Sequence, residues 1–451
     1  MKPMRFVPYV LAVLPVGLSL VACDPSAPVV ANDGGIVDTC PVPTGAGTVH
    51  TGSITKDETW AAADSPHIVP YDLHVSGVTI TVEPCSILRV KGPAGFTFDT
   101  GGGLVAEGTR TKPIHIIADD ATKPWGGMRV FAPSTIRLAY ATVEDGGNGT
   151  GNTSGAIEVR GDQLLPSQEI LFVDHVTVKG SPSHGVSLYG GGAFTKDSTD
   201  LTISGAKRAP VRADARLIGN LPTGTYTGNA FDFIQLDTTQ NISYEDVTFH
   251  ERGVPYHVGS PGQTSGDLRV GAGKVFSTLT LEPGVVLKFD KNIAASLHVE
   301  VAIGTTPAMG ALVAVGTATK HIVFTSQSDA PAAGDWRGLT FGLQPSTKNQ
   351  LEYVEILYAG GKSGAQGFHC QAPDGKYSAN EDAAFALFGP PQAQFLKNST
   401  ISFSAGLGID LGYSGGPVDF LPTNDVNNTA DCKQSYPRPT AGSCPTSVAC
   451  P

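Results

Sequence analysis

Basic side chains are scarce in this chain. Its 451 residues include 30 Lys and Arg against 41 Asp and Glu, which gives a formal net charge of −11. Because an acidic protein repels phosphate backbones, we expect no nucleic-acid partner. Helical periodicity is almost absent, whereas 55 glycines, 33 prolines and a charged fraction of only 16% indicate many turns. The lack of helical periodicity and the many turns favour a large all-β protein.

Long apolar runs are also missing, with one exception near the N-terminus. Residues 6–20 form an apolar run of 15 residues that contains Pro8 and Pro15. This is shorter than the ~20 residues that a membrane-spanning helix needs. Lys2 and Arg5 precede the run, so the segment has the layout of an export signal. An uncleaved transmembrane helix is the alternative.

The apolar run ends in Leu20-Val-Ala-Cys23, which resembles the lipobox of bacterial lipoproteins. The resemblance implies that a signal peptide at residues 1–22 is cleaved and that lipid on Cys23 anchors the protein in a membrane. Cleavage leaves 28 basic against 41 acidic side chains, a net charge of −13. Residues 23–52 are rich in Pro, Gly and Ala and are predicted to form a flexible tether. We expect a periplasmic or cell-surface location in the cell envelope.

Six cysteines follow Cys23, and no two of them have the two-residue spacing of zinc sites. An even number in an exported chain predicts three disulfides, and fifteen pairings are open. The disulfides that we predict stabilise the two ends of the folded body. They are Cys40–Cys85, Cys370–Cys432 and Cys444–Cys450.

The chain repeats itself over a long distance. Residues 79–88 return as residues 278–287, an offset of 199 positions. Trp125 and Trp336 hold matching places in the two copies, which predicts one packing role performed twice. The predicted parts of the folded body are a first half at residues 53–264, a second half at residues 265–430 and a cysteine-containing tail at residues 431–451.

A shorter period runs within each half. Threonines at the centres of three short apolar segments stand at positions 177, 202 and 248, so their separations are 25 and 46 residues. Units of roughly 22–25 residues with several short strands and no helix predict a β-solenoid, whose stacked coils share one core. A pair of β-sandwiches is the alternative, but sandwich strands need about five or six residues and these have three or four.

Two phrases resemble motifs of right-handed parallel β-helix proteins with the pectin-lyase-like fold. They are Leu-Thr-Leu-Glu-Pro-Gly at residues 279–284 and Gly-Asp-Trp-Arg-Gly-Leu at residues 334–339. The resemblance covers about residues 54–420 and implies an all-β, right-handed parallel β-helix. Many proteins of this fold cut or bind acidic polysaccharides, so their catalytic motifs are the relevant ones here.

Weak catalytic candidates follow from that resemblance. Asp174 and His175 are similar to part of a pectate-lyase motif, and Arg208 and Arg212 are similar to its paired arginines, with one residue missing. His184 lies in a Ser-His-Gly phrase similar to a polygalacturonase motif. Neither set is accompanied by the carboxylates that calcium binding or glycoside hydrolysis needs. The alternative is that these residues form turns and solvated surface.

Asp419, Asp425 and Asp431 are the candidate metal ligands, for calcium. Calcium takes six to eight oxygen ligands, and the six-residue steps between these residues differ from the alternation of a calcium-binding EF-hand loop. A polar cap on the last coil is the competing interpretation. No other cofactor is expected.

These observations favour a non-catalytic protein, anchored in the cell envelope, whose solenoid presents a surface to a glycan or to a neighbouring envelope protein. The alternative is a polysaccharide lyase or glycoside hydrolase that acts on an acidic polysaccharide. The two hypotheses differ in one structural respect. An enzyme requires several carboxylates and a basic residue that converge in one groove near His175, His184 or Arg208.

Overall fold

The computed structural model describes residues 38–147, 154–259, 266–271, 273, 275–300, 309–370 and 380–444. These residues form β-strands and a few 3₁₀ helices, which are Ala62–Asp64, Ala215–Asn220, Lys291–Ile293 and Leu421–Thr423. Most strands have two to six residues, but Thr135–Glu144 and Gln168–Lys179 have 10 and 12, longer than the three or four predicted. The strands up to the junction of the two halves are β1 (Thr48–Val49), β2 (Ser53–Ile54), β3 (Glu58–Trp60), β4 (His67–Val69), β5 (Leu73–Ser76), β6 (Thr79–Val82), β7 (Ile87–Val90), β8 (Phe96–Asp99), β9 (Gly103–Glu107), β10 (Ile114–Ala118), β11 (Met128–Phe131), β12 (Thr135–Glu144), β13 (Gly155–Arg160), β14 (Gln168–Lys179), β15 (His184–Tyr189), β16 (Gly192–Phe194), β17 (Thr199–Ser204), β18 (Val211–Asp214), β19 (Gly224–Thr225) and β20 (Ile234–Asp237). The strands after it are β21 (Val247–Phe249), β22 (Tyr256–Val258), β23 (Asp267–Val270), β24 (Ser277–Leu281), β25 (Val286–Phe289), β26 (Ser296–Val299), β27 (Gly310–Val315), β28 (Ile322–Ser326), β29 (Leu339–Phe341), β30 (Gln350–Glu352), β31 (Val354–Leu357), β32 (His369–Cys370), β33 (Ala383–Leu387), β34 (Leu396–Lys397), β35 (Thr400–Ser404), β36 (Leu407–Leu411), β37 (Asp425–Thr429) and β38 (Tyr436–Pro437).

The strands stack in long parallel sheets, so the molecule is a parallel β-helix, as predicted. A fourteen-stranded sheet runs through both halves in the order β2-β5-β8-β11-β13-β15-β18-β20-β22-β25-β28-β31-β35-β37. A twelve-stranded sheet belongs to the first half, and two five-stranded sheets belong to the second, apart from β21, which precedes residue 265. Among the described strands, only β32 and β38 pair in the antiparallel sense.

Alternation along each strand builds the core. In β5, Leu73 and Val75 point inward and are fully buried, whereas His74 between them is exposed. Residues in register on successive coils then stack on one another. One inward stack consists of Ile80, Leu104, Ile136 and Leu171. Burial of each such side chain contributes about 1.5–3 kcal/mol, and only stacking of coils provides it.

Corresponding strands of the two halves lie in different sheets. By the sequence repeat, β7 corresponds to β25, since Leu88 and Leu287 are 199 positions apart. However, β7 lies in the twelve-stranded sheet and β25 lies in the fourteen-stranded sheet, which continues across the junction through β20 and β22. Between these strands Ile242 forms an isolated parallel bridge with Val270. The second half is therefore rotated by one side relative to the first.

Trp125 and Trp336 pack in the same way in the two halves. Both indole rings are fully buried. The Trp125 N–H donates to the Glu144 carbonyl at 2.7 Å, and the Trp336 N–H donates to the Leu357 carbonyl at 2.8 Å. The repeated packing role that the sequence predicted is confirmed.

The disulfides differ in part from the prediction. Cys40 is bonded to Cys85, as predicted. Cys370 is bonded to Cys444, so the predicted pairs Cys370–Cys432 and Cys444–Cys450 are wrong. The cause is the antiparallel pairing of β32 with β38, because it brings the chain that follows Pro437 back beside Cys370.

Cys432 has a separate environment. It is buried against Ala383, Ala386 and Leu407, and it is itself disulfide-bonded. Cys450 lies outside the described residues.

The predicted N-terminal signal lies outside the described residues, as do Cys23 and the tether up to residue 37. From residue 38 onward, the segment predicted as tether is attached to the first coils. The Thr39 N–H donates to the Thr111 carbonyl at 2.9 Å, and β1 pairs with β4. Within the described part of the chain, no helix is both long and apolar enough to cross a membrane.

Candidate functional site

Asp174 and His175 lie at a solvent-accessible corner of the twelve-stranded sheet. His175 has a φ of 53°, and its ring stacks on Tyr140 of the preceding coil with 4.5 Å between the ring centres. Its Nδ1 lies 2.6 Å from the Asp174 carboxylate, and its Nε2 lies 3.3 Å from the carboxylate of Asp200 on the following coil. The pair thus connects three successive coils at one corner.

His184 and Arg208 lie on another sheet. His184 opens β15 of the fourteen-stranded sheet and is 5% exposed, and its Nδ1 lies 3.1 Å from the Ala209 carbonyl oxygen. Arg208 precedes β18 of the same sheet, and its main-chain N–H donates to the Ser183 carbonyl at 3.1 Å. The residues similar to the pectate-lyase motifs are therefore divided between two sheets.

Arg212 belongs to an outward-facing row on the fourteen-stranded sheet. The residues in register along this row are Arg129, Glu158, Ser187, Arg212, Gln235, His257 and Lys288. The Arg212 guanidinium forms an ion pair with the Asp237 carboxylate, and the two side chains are 11% and 3% exposed. Its Nη1 also lies 3.4 Å from the Ser187 hydroxyl.

Two further carboxyl groups lie close to this ion pair. Asp214 is in register with Asp237 and accepts a hydrogen bond from the Gly190 N–H at 2.9 Å. Burial raises the pKa of Asp214, and the Gly190 hydrogen bond and the charge of Arg212 act against that rise. Burial also raises the pKa of Glu158. A carboxyl group with a raised pKa beside an ionised one is the arrangement that glycoside hydrolases use.

Sequence reasoning identified Arg212 but missed Glu158, Asp214 and Asp237. The coil period could have revealed the two aspartates, because Val-Arg-Ala-Asp at β18 and Ile-Gln-Leu-Asp at β20 are 23 residues apart. Alternate strand residues face outward, so the charges of the two coils meet. The cluster is enclosed, since Asp214 and Asp237 are only 4% and 2% exposed.

An open cleft lies on the outer side of the five-stranded sheet that contains β24, β27, β30 and β34. Its volume is about 540 Å³, within the range of ligand-binding pockets. Residues 345–349 line one part of the cleft and residues 391–395 another, while Val313 and Gln350 are in register on β27 and β30. The cleft was missed at the sequence level because it is formed largely by loops that carry no motif.

Polar side chains dominate the lining of the cleft. They are Thr278, Ser346, Thr347, Lys348, Asn349, Gln350, Glu352, Gln392, Gln394 and Lys397. The Asn349 side-chain oxygen accepts the Leu312 N–H at 2.8 Å, whereas its buried Nδ2 has no hydrogen-bond partner. The Lys348 ammonium lies 4.3 Å from the ring centre of Phe276. Two ammonium groups against one carboxylate make the cleft locally positive on an acidic protein.

His369, Glu381 and Asp410 form a second cluster, near the last coils. The His369 Nδ1 lies 2.5 Å from Glu381 Oε2 and 3.0 Å from Asp410 Oδ1, and none of the three side chains is exposed. In the described ranges, this is the one set of at least three His, Cys, Asp or Glu residues whose ligand atoms all lie within 4.8 Å of one another. The cluster could hold a metal ion.

The charges within this cluster are coupled. Burial alone lowers the pKa of His369, but hydrogen bonds with Asp410 and Glu381 outweigh it and raise the pKa to about 10. Burial raises the pKa of Asp410. For Glu381, burial acts in the same direction, but the hydrogen bond from His369 prevails and lowers the pKa. The coil period does not mark this cluster, because its members lie 12 and 29 residues apart.

The residues predicted as calcium ligands have local roles. Asp419 accepts the Leu421 N–H at 3.0 Å, at the start of a 3₁₀ helix. Asp425 begins β37, the last strand of the fourteen-stranded sheet, and accepts a hydrogen bond from Asn427 at 2.9 Å. For Asp431, burial raises the pKa, and the charge of Asp382 adds to that rise. None of the three belongs to the metal-type cluster of His369.

Comparison with known proteins gives no relative. No family model, no curated protein and no solved structure matches this chain.

Proposed function

We propose that the protein is an envelope-anchored β-helix that binds an acidic glycan, without cleaving it, in the cleft between residues 345–349 and 391–395. The observation that carries the proposal is the cleft itself. It combines a volume of about 540 Å³ with amide side chains and with the ammonium groups of Lys348 and Lys397.

The chemistry of the lining favours a sugar with acidic groups. Amide side chains such as Gln350 and Gln394 both donate and accept, as sugar hydroxyl groups require. Lys348 and Lys397 supply positive charge for carboxylate or sulfate substituents. Hydrolysis needs two carboxyl groups around the scissile bond, and Glu352 is the one carboxyl among the residues that line the cleft. Binding without cleavage is therefore the function that this lining supports.

The anchor is part of the same proposal and rests on the N-terminal sequence. Lys2 and Arg5, the apolar run at residues 6–20 and Cys23 together have the order of a lipoprotein signal. Lipid on Cys23 would hold the β-helix at a membrane in the periplasm or at the cell surface, where envelope glycans occur.

A second candidate function is cleavage of a polysaccharide, by a hydrolase or a lyase reaction, at the Arg212 cluster. The observation in its favour is that Asp214 and Asp237 are in register, with the pKa of Asp214 raised and Asp237 paired to Arg212. Environments that separate the ionisation of two carboxyl groups are typical of catalytic acid and base pairs.

One experiment tests both candidates. Full-length protein in detergent is incubated with immobilised polygalacturonate, alginate and dextran, with and without calcium. Bound protein is measured, and the supernatant is assayed for new reducing ends and for unsaturated products by ultraviolet absorbance. We expect retention on the acidic glycans without products. Products that disappear in Asp214→Asn would overturn the non-catalytic proposal in favour of the second candidate, and the absence of retention on every glycan would overturn the binding function.

A further inference from the structure

The cluster of His369, Glu381 and Asp410 has a feature that an internal ion pair does not explain. Asp410 is 0% exposed, and its Oδ2 has no hydrogen-bond partner. Its Oδ1 is fully used, because it accepts the Ser435 hydroxyl at 2.7 Å and lies 3.0 Å from His369 Nδ1. A buried carboxylate oxygen without a partner is expensive unless a proton or a cation meets it.

The unpartnered oxygen faces a small space beside Gly412. A Cβ atom on Gly412 would lie 3.0 Å from Asp410 Oδ2, 3.2 Å from Glu381 Oε2 and 3.3 Å from the Leu387 carbonyl oxygen. Three oxygen atoms, two from the segment that contains β33 and one from β36, thus surround one point that no side chain fills. The absence of a side chain on Gly412 keeps this point open.

From this geometry we propose that His369, Glu381 and Asp410 bind a divalent transition-metal cation of the zinc class. Imidazole nitrogen and carboxylate oxygen are both zinc ligands, whereas calcium requires six to eight oxygens, which these three residues do not supply. Zinc binds nitrogen and oxygen ligands at about 2.0–2.2 Å, so the three ligand atoms would separate by less than about 1 Å to admit it. The cation would replace the proton on His369 Nδ1, which passes to water.

Neighbouring groups already orient these ligands. Glu381 Oε1 accepts the main-chain N–H groups of Phe368 at 2.5 Å and of His369 at 3.2 Å, which leaves Oε2 directed at the cluster. The Ser435 hydroxyl fixes the Asp410 carboxylate in the same way. Such outer hydrogen bonds are characteristic of metal sites, where they hold the ligands in place.

The position of the site indicates what the cation does. His369 lies in β32 of the antiparallel pair, Glu381 precedes β33, and Asp410 lies in β36. The cation therefore joins the terminal strand pair to the last coils. Cys370, the neighbour of His369, forms the disulfide with Cys444 in the same region. A metal ion and a disulfide would together close this end of the solenoid.

The test uses the full-length protein, expressed with zinc, dialysed and analysed for bound metals by mass spectrometry. Two variants remove the site in different ways: Asp410→Asn removes a ligand charge, and Gly412→Ala fills the space but keeps every ligand. Gly416→Ala is the matched control, because a Cβ on Gly416 meets no atom within 4 Å. Far-UV circular dichroism verifies that each variant is folded.

We expect about one zinc per chain in the wild type and in Gly416→Ala, and at least a tenfold loss in Gly412→Ala and Asp410→Asn. Zinc added to chelator-stripped protein should raise the melting temperature of the wild type and of the control alone. If Asp410→Asn does not fold, Gly412→Ala decides. Equal zinc in Gly412→Ala and the wild type, no zinc in the wild type, or occupancy by calcium alone would overturn the proposal.

Discussion

The ion pair between Arg212 and Asp237 gives the sharpest stability prediction. Arg212→Met keeps the apolar stem and removes the charge from a site where the two side chains are 11% and 3% exposed. Asp237 then remains buried beside Asp214 without its counter-charge. Removal of one partner from a buried ion pair costs about 3–5 kcal/mol. We expect this loss in the free energy of unfolding at pH 7.

The partner substitution should cost less. In Asp237→Asn, Arg212 retains Asp214 as a counter-charge, and the change removes a charged hydrogen bond worth about 1.5–3 kcal/mol. The double variant carries neither charge of the pair, so it should be more stable than Arg212→Met alone. The coupling energy of the double-mutant cycle should then fall at the upper end of the usual range, about 2–3 kcal/mol.

The assay is urea unfolding, followed by the fluorescence of the buried tryptophans, at pH 7 and pH 5. The deficit of Arg212→Met should shrink at pH 5, because protonation neutralises the carboxyl groups that have lost their counter-charge. A loss in the free energy of unfolding of less than about 0.5 kcal/mol relative to the wild type would refute the reasoning, since changes of that size are typical of exposed sites. A coupling energy near zero in the double-mutant cycle would refute it as well.

Two further predictions concern other parts of the chain. Glu300 is 3% exposed, and burial raises its pKa to about 8 from an ordinary value of 4.5. Its ionisation therefore destabilises the folded state progressively as the pH rises from about 4.5 to 8. Glu300→Gln should raise the free energy of unfolding at pH 8 by at most about 4–5 kcal/mol, and the melting temperature should rise with it. At pH 4 the melting temperature should be unchanged. An equal shift at both pH values would contradict this prediction. Cys23→Ser should move the protein from the membrane fraction to the soluble fraction as a folded β-helix, as judged by fractionation and circular dichroism, and a variant that stays in the membrane fraction would contradict lipid anchoring.

The sequence predicted the parts of the fold that depend on the coil period. Recurring units of strands without helices can bury their apolar side chains only by stacking, and that requirement defines the solenoid. The predicted interval of 22–25 residues holds between β18 and β20, but neighbouring coils at β31 and β35 are 45 residues apart. The matched packing of Trp125 and Trp336 follows from the same repeat. The rotation of the second half does not, because the repeat identifies corresponding strands such as β7 and β25 but not the sheet that each one joins.

The candidate sites were less predictable because they depend on contacts that the period does not describe. Asp237 lies one coil after Asp214, so the coil spacing could have revealed that pair. The cluster of His369, by contrast, draws on segments that meet only through the terminal antiparallel pair of β32 and β38. The same pair redirects Cys370 to Cys444. Loops and chain ends, which carry these features, have no repeat to mark them.

Binding of polygalacturonate by two matched double variants tests the central claim most directly. Lys348→Gln with Lys397→Gln removes the positive charge of the cleft, whereas Lys91→Gln with Lys112→Gln makes the same change in net charge at exposed positions outside it. We predict that the cleft variant binds at least about tenfold more weakly, equivalent to about 1.4 kcal/mol, and loses most of its salt dependence, while the control binds as the wild type does. Equal binding by the two variants, or equal affinity of the wild type for dextran, would contradict recognition of an acidic glycan in the cleft.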